Sequence, residues 1–142
     1  MSSNQICVVL ALLAITVADA NLFGRRQRVM AKGRLMCGSV PATNVLVKLM
    51  DEDDLGIDDK MAEQRTDRYG YFYLDGEESE VTPVDPKLEI FHDCNDFWIC
   101  QRMWTLKIPD KYINSNEPID IGEVNLEMQL KGEKRSCWYK KK

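Results

Sequence analysis

Five cysteines, one histidine and a cluster of acids carry the most specific chemistry in this 142-residue sequence. Cys7, Cys37, Cys94, Cys100 and Cys137 offer thiolates for metal ligation or disulfide bonding. None of them forms a Cys-x-x-Cys pair, and His92 is the single histidine able to assist, so no metal centre is expected from them. General acid–base catalysis near neutral pH needs a titratable group and a partner held in register. His92 and Asp93 are neighbours, and adjacent strand side chains point to opposite faces, so they do not make that pair. His92 reads as a structural residue. Gly-x-Ser-x-Gly, phosphate-loop and His-Glu-x-x-His patterns are absent, and the chain is not expected to be an enzyme or to carry a cofactor.

The acids concentrate in Asp51 to Asp59 (DEDDLGIDD). Asp51, Asp53 and Gly56 match three positions of an EF-hand loop, but Leu55 and Ala62 stand where ligands belong. The run therefore reads as a solvated loop between strands, with a looser cation cluster through Asp58 and Asp59 left open.

Where the protein works is indicated by its first residues. Ile6 to Val17 (ICVVLALLAITV) is uncharged and apolar, and Ala18-Asp19-Ala20 follows as a small-x-small triplet. This is the pattern of a secretory signal peptide cleaved after Ala20, and the run is shorter than the roughly 20 residues that span a bilayer. Removing residues 1–20 leaves 122 residues, moves the net charge from −4 to −3, and leaves four cysteines. An even count in a secreted chain predicts two disulfides, with three possible pairings. The acidic balance, with pI near 5.1, argues against a nucleic-acid partner.

The remaining chain is patterned as strands. Asn21 to Arg28 is polar and basic and reads as a flexible lead-in. From Val29, apolar residues recur with period 2 through Leu35, and again at Val45, Val47 and Leu49. Thr66 to Leu74 (TDRYGYFYL) has the turn residues and aromatics of a hairpin. Glu77 to Pro86 reads as a loop, Leu88 to His92 and Arg102 to Ile108 as further strands. The inward parity changes between Ile121 and Val124, which predicts a bulge at Gly122. No helical stripe occurs. Seven to eight short strands predict an all-β, two-sheet sandwich over residues 29–137, followed by a basic tail at 138–142.

Six segments carry a family resemblance: Val29 to Gly38 (VMAKGRLMCG), Pro41 to Leu49 (PATNVLVKL), Thr66 to Phe72 (TDRYGYF), Ile90 to Cys94 (IFHDC), Cys100 to Arg102 (CQR) and Leu106 to Ile113 (LKIPDKYI). In this order they resemble the nematode transthyretin-like family, over Val29 to about Cys137. The resemblance implies a prealbumin-like sandwich and secretion. It implies that Cys37 pairs with Cys94, because members with two cysteines keep those two, which leaves Cys100 for Cys137. It also implies an extracellular binding role, such as bridging a cell surface, through anionic lipid or a receptor, to a partner. A carrier of a small apolar ligand is the alternative. A related prealbumin-like group hydrolyses 5-hydroxyisourate with several histidines and a C-terminal Tyr-Arg-Gly-Ser. This chain has one histidine and ends Ser136-Cys137-Trp138-Tyr139-Lys140-Lys141-Lys142, so that activity is a remote option.

Two stretches are candidates for contact with a partner. Phe97, Trp98 and Ile99 lie between Cys94 and Cys100, where an aromatic tip held by disulfides suits a protein or membrane interface. Trp138 with Lys140, Lys141 and Lys142 forms a basic aromatic tail suited to an anionic lipid surface. The Cys100–Cys137 pairing would bring the two together.

Overall fold

A computed structural model describes residues 24–54 and 56–137, and these fold into two β-sheets. The first sheet is built on β1 (Arg25–Cys37), which pairs antiparallel with β2 (Val40–Pro41) and β5 (Tyr71–Glu80) and parallel with β8 (Ile119–Asn125). The second has five antiparallel strands in the order β4 (Asp59–Arg65), β3 (Leu46–Asp51), β6 (Pro86–His92), β7 (Gln101–Lys107) and β9 (Lys134–Ser136). A single 3-10 turn, Asp110–Tyr112, is the one helical element among the described residues. The all-β expectation holds, with nine strands among the described residues.

Period-2 patterning places one side of each sheet in the shared core. Val29, Ala31 and Leu35 of β1 and Phe72 and Leu74 of β5 face Val47, Leu49, Leu88 and Ile90 of the second sheet, all at most 4% exposed. Each fully buried leucine contributes about 2 kcal/mol. The parity change in β8 is a bulge: Lys32 opposes Asp120 while Arg34 opposes Glu123, so two residues of β8 stand against Gly33. Gly122 takes φ of 71° there, a left-handed conformation that suits glycine.

Three sequence expectations are corrected. Arg25 to Arg28 is not a flexible lead-in but the start of β1, and Glu77 to Glu80 is not loop but the end of β5. These polar segments pair with each other, supported by Arg26–Glu77 at 3.0 Å and the two-pronged contact of Arg28 with Asp75. The turn at Thr66 to Gly70 forms as expected, since Asp67 Oδ1 accepts from the N–H groups of Tyr69 and Tyr71 at 2.8 and 2.9 Å. It does not close a hairpin, however. β4 belongs to the second sheet and β5 to the first, so the turn is a corner between layers. The Leu35 N–H donates to Gly70 O at 2.8 Å, fastening that corner to β1.

Candidate functional site

The loop between β6 and β7 is built from the two disulfides outward. Cys37 is joined to Cys94 and Cys100 to Cys137, the pairing that the family resemblance implied. The first ties the end of β1 to the end of β6, across the two sheets. The second ties the start of β7 to the residue after β9. Both ends of the Asn95 to Ile99 segment are thus covalently anchored.

Polar contacts fix the base of this loop. Asp96 is buried and receives Arg135 through two parallel bonds, Nη1 to Oδ2 at 2.7 Å and Nη2 to Oδ1 at 2.9 Å. Such a fork is stronger than a single neutral hydrogen bond and fixes orientation as well as distance. Arg135 Nη1 also donates to Cys100 O at 3.0 Å. Asn95, in the left-handed conformation at φ of 49°, donates from Nδ2 to Glu127 at 2.8 Å. Gln101 donates from Nε2 to Asp93 at 2.9 Å.

Below the loop, Arg102 satisfies all five of its N–H donors. Nε and Nη2 donate to the two oxygens of Glu133, Nη1 to the carbonyls of Cys94 and Leu126, and Nη2 also to Met128 O. One side chain therefore joins three turns. Neither its burial nor its role was apparent from the sequence, where a lone arginine in Cys100-Gln101-Arg102 carries no periodic signal.

His92 is buried at the same end. Its Nδ1 accepts from the Cys94 N–H at 3.3 Å, which leaves the proton on Nε2, a buried atom without a hydrogen-bond partner among the described residues. Burial, then the nearby Arg102 cation, pushes its pKa down to about 4. At neutral pH the imidazole is uncharged. Its surroundings are those of a packed residue, in agreement with the structural role expected of it.

Above this base the loop is apolar and open. Phe97 is 98% exposed, Trp98 71% and Ile99 93%. The Arg135 guanidinium lies 5.8 Å from the centre of the Trp98 ring, within cation–π range, and so links the loop's polar base to its tip. The four expected disulfide residues and the three apolar ones are brought together at one end of the sandwich. Trp138, Lys140, Lys141 and Lys142 lie outside the described residues. The chain ahead of them, Lys134 to Ser136, is strand β9. A separate shallow depression of about 470 Å³ lies on the first sheet, with Tyr71, Tyr73, Lys32 and Arg34 at its edge and Gly33 and Gly122 in its lining.

Comparison with known proteins agrees with this architecture. The family model described as "TTR-52: Transthyretin-like family" matches residues 32–109. Transthyretin-like protein 5 of Caenorhabditis elegans is 45% identical over 136 residues, covering 91% of this chain and 97% of its own length. Transthyretin-like protein 2 of the same organism is 41% identical, covering 86% of this chain and 90% of its own. Transthyretin-like protein 33 is 44% identical, covering 77% and 80%. A family match over more than half the chain, together with relatives at these identities along nearly their whole lengths, establishes that the chain belongs to the transthyretin-like family.

Proposed function

We propose that this protein is a secreted, extracellular binding module that docks on an anionic membrane surface through the Phe97-Trp98-Ile99 loop. The observation that carries the reading is the exposure of three consecutive apolar side chains on a loop anchored at both ends by disulfides. An exposed apolar patch of this kind is worth explaining, and tryptophan suits an interface that is apolar on one side and wet on the other. The adjacent cations favour an anionic surface. The sequence places Lys140, Lys141 and Lys142 three to five residues beyond the cysteine bonded to Cys100, whereas the Arg135 charge is already matched by Asp96. Each lysine or arginine near such a membrane adds about 1 kcal/mol.

Secretion is part of this proposal and rests on the Ile6 to Ala20 pattern. The reading is one of binding rather than catalysis, since His92 is buried, neutral and turned to backbone. The depression beside Tyr71 and Tyr73 supports the second reading, a carrier of a small apolar ligand, because it offers aromatic faces next to charged groups.

Flotation of the oxidised chain with anionic and neutral vesicles, at low and physiological salt, tests the preferred reading. Binding selective for anionic vesicles is expected, together with its loss in Phe97→Ala/Trp98→Ala and its weakening on removal of Lys140 to Lys142. Absence of binding to either vesicle would remove the lipid reading and direct the search to a protein receptor or small ligand.

A further inference from the structure

On the outer face of the first sheet, two rows of side chains cross β8, β1 and β5 in register. Asp120, Lys32 and Tyr73 form one row, and Glu123, Arg34 and Tyr71 form the next. Each row thus runs acid, base, tyrosine, and the two stand roughly 7 Å apart along β1, two residues of strand rise. Between them Phe72 turns toward the core, and Gly33 and Gly122 carry no side chain, so backbone floors the slot. The bulge widens it on the β8 side, where Ile121 and Gly122 together stand between Asp120 and Glu123 and oppose Gly33 alone. The result is the open depression of about 470 Å³ beside Tyr71 and Tyr73.

The charges around this slot cancel. Lys32 Nζ lies 3.7 Å from Asp120 Oδ2, and Arg34 Nη1 lies 2.9 Å from Glu123 Oε2, so two cations face two anions. A charged ligand therefore meets no net field. A wholly apolar one would cut four ionic groups off from water without replacing their hydrogen bonds. A shallow slot also leaves one side of its ligand wet, whereas an apolar molecule needs most of its surface covered. The chemistry that fits is a neutral molecule with one apolar face and many hydroxyls. Tyr71 and Tyr73 are half-exposed and offer it ring surface. Both rings are held: the Arg34 guanidinium lies 5.2 Å from the centre of Tyr71, and the Tyr73 hydroxyl donates to Met30 Sδ at 3.3 Å. A pyranose packs its C–H face on such a ring. Its hydroxyls, donors and acceptors at once, can accept from Lys32 and Arg34 and donate to Asp120 and Glu123. Exposed ion pairs are weakly held, and the Lys32–Asp120 separation is longer than a hydrogen bond, which leaves room for a hydroxyl between them. We propose that the slot between these two rows is a glycan subsite that takes a neutral pyranose. The inference rests on the second reading above, that the depression takes a ligand, and assigns that ligand to the sugars.

NMR titration of the oxidised, isotope-labelled chain with the uncharged trisaccharides of N-acetylglucosamine, glucose and mannose tests this, with the apolar fluorophore aminoanthracene as a separate arm. Saturable shifts are expected at the amides of Gly33, Phe72 and Gly122 with at least one of the sugars, at a dissociation constant on the order of 1 mM. Tyr71→Ala, which removes an exposed ring, should weaken binding about fivefold or more. Asp120→Asn/Glu123→Gln should weaken it about tenfold. Phe97→Ala/Trp98→Ala should bind the sugar as the parent does, which separates this slot from the aromatic loop. No shift at the three amides with any of these sugars up to about 20 mM would overturn the proposal, as would undiminished binding by Tyr71→Ala. If aminoanthracene alone shifts these amides, the sugar assignment falls while the carrier reading stands. If neither class of ligand does, both fall.

Discussion

Arg102 and Glu133 face each other as a buried, two-pronged ion pair: Arg102 Nη2 lies 2.9 Å from Glu133 Oε2, and its Nε donates to Oε1. Removing one partner of a buried pair leaves an uncompensated charge, which is more damaging than the pair is favourable. Arg102→Ala is expected to cost about 3–5 kcal/mol in urea denaturation. Arg102→Lys should recover little, because an ammonium cannot serve a carboxylate fork and three carbonyls together. A loss below about 1 kcal/mol would mean that the three turns hold without this side chain.

The same pair sets a pH dependence. Burial pushes the Glu133 carboxyl up, but hydrogen bonds from Arg102 and the Leu130 N–H outweigh it, holding it below its ordinary 4.5. A carboxylate depressed on folding contributes stability above its unfolded pKa and loses it as pH falls through the lower folded value. The urea midpoints of the parent and Glu133→Gln should therefore differ most near neutral pH and converge in acid. A difference independent of pH would contradict this assignment.

His92 gives a cleaner titration, since it is the only histidine in the sequence. Its pKa falls from 6.5 to about 4 on folding, through burial and then through Arg102. The unfolded chain thus binds more protons between these values, and stability should rise with pH from about 4 to 6.5. Proton NMR should show the folded imidazole titrating with a midpoint near 4 and predominantly neutral toward pH 6.5. A midpoint near 6.5 would place the ring in solvent and contradict the packing described.

The disulfides are expected to contribute about 4 kcal/mol each in the chain-entropy model, closing separations of 57 and 37 residues. Serine at both Cys100 and Cys137 should lower stability by up to that amount while leaving a folded sandwich, because Cys37–Cys94 still joins the two sheets. Urea denaturation of the variant, with far-UV circular dichroism for the β content, checks both parts. Loss of the β signal would show that the sandwich as a whole, and not β9 alone, depends on the Cys100–Cys137 link.

Gly70 is constrained in a way other turn glycines are not. It has φ of 82°, and a Cβ there would stand 2.3 Å from Leu35 O, whereas one at Gly132, with φ of 81°, would meet nothing within 4 Å. Gly70→Ala is expected to cost about 2 kcal/mol or more, and Gly132→Ala about 1 kcal/mol. Thermal denaturation of the two variants side by side measures the difference. Equal losses would mean that the corner at Gly70 yields to the added methyl.

Much of this structure was legible in the residues because it rests on apolar alternation. Val29 to Leu35, Val45 to Leu49 and Leu88 to His92 each display a period of two, and each became a core strand. Gly122 was readable as a bulge because the apolar parity changes on either side of it. What escaped depends on pairings that are distant in sequence and have no apolar signature. Arg25 to Arg28 and Glu77 to Glu80 are too polar to read as strands, yet each supplies the other's ladder and countercharges. Arg102 reaches carbonyls and a carboxylate up to 31 residues away, and Glu80 meets Asp53 only because two sheets bring their ends together.

The division of labour around residues 97–99 has a further consequence. The groups that hold the loop, Cys94, Asp96, Cys100 and Arg135, are distinct from the side chains it displays, which are exposed apart from the contact of Trp98 with Arg135. The free energy of folding therefore resides in this socket rather than in the displayed residues. Substitution at the displayed positions should leave the fold intact. The same scaffold should accept a grafted sequence at residues 97–99 as a replaceable insert.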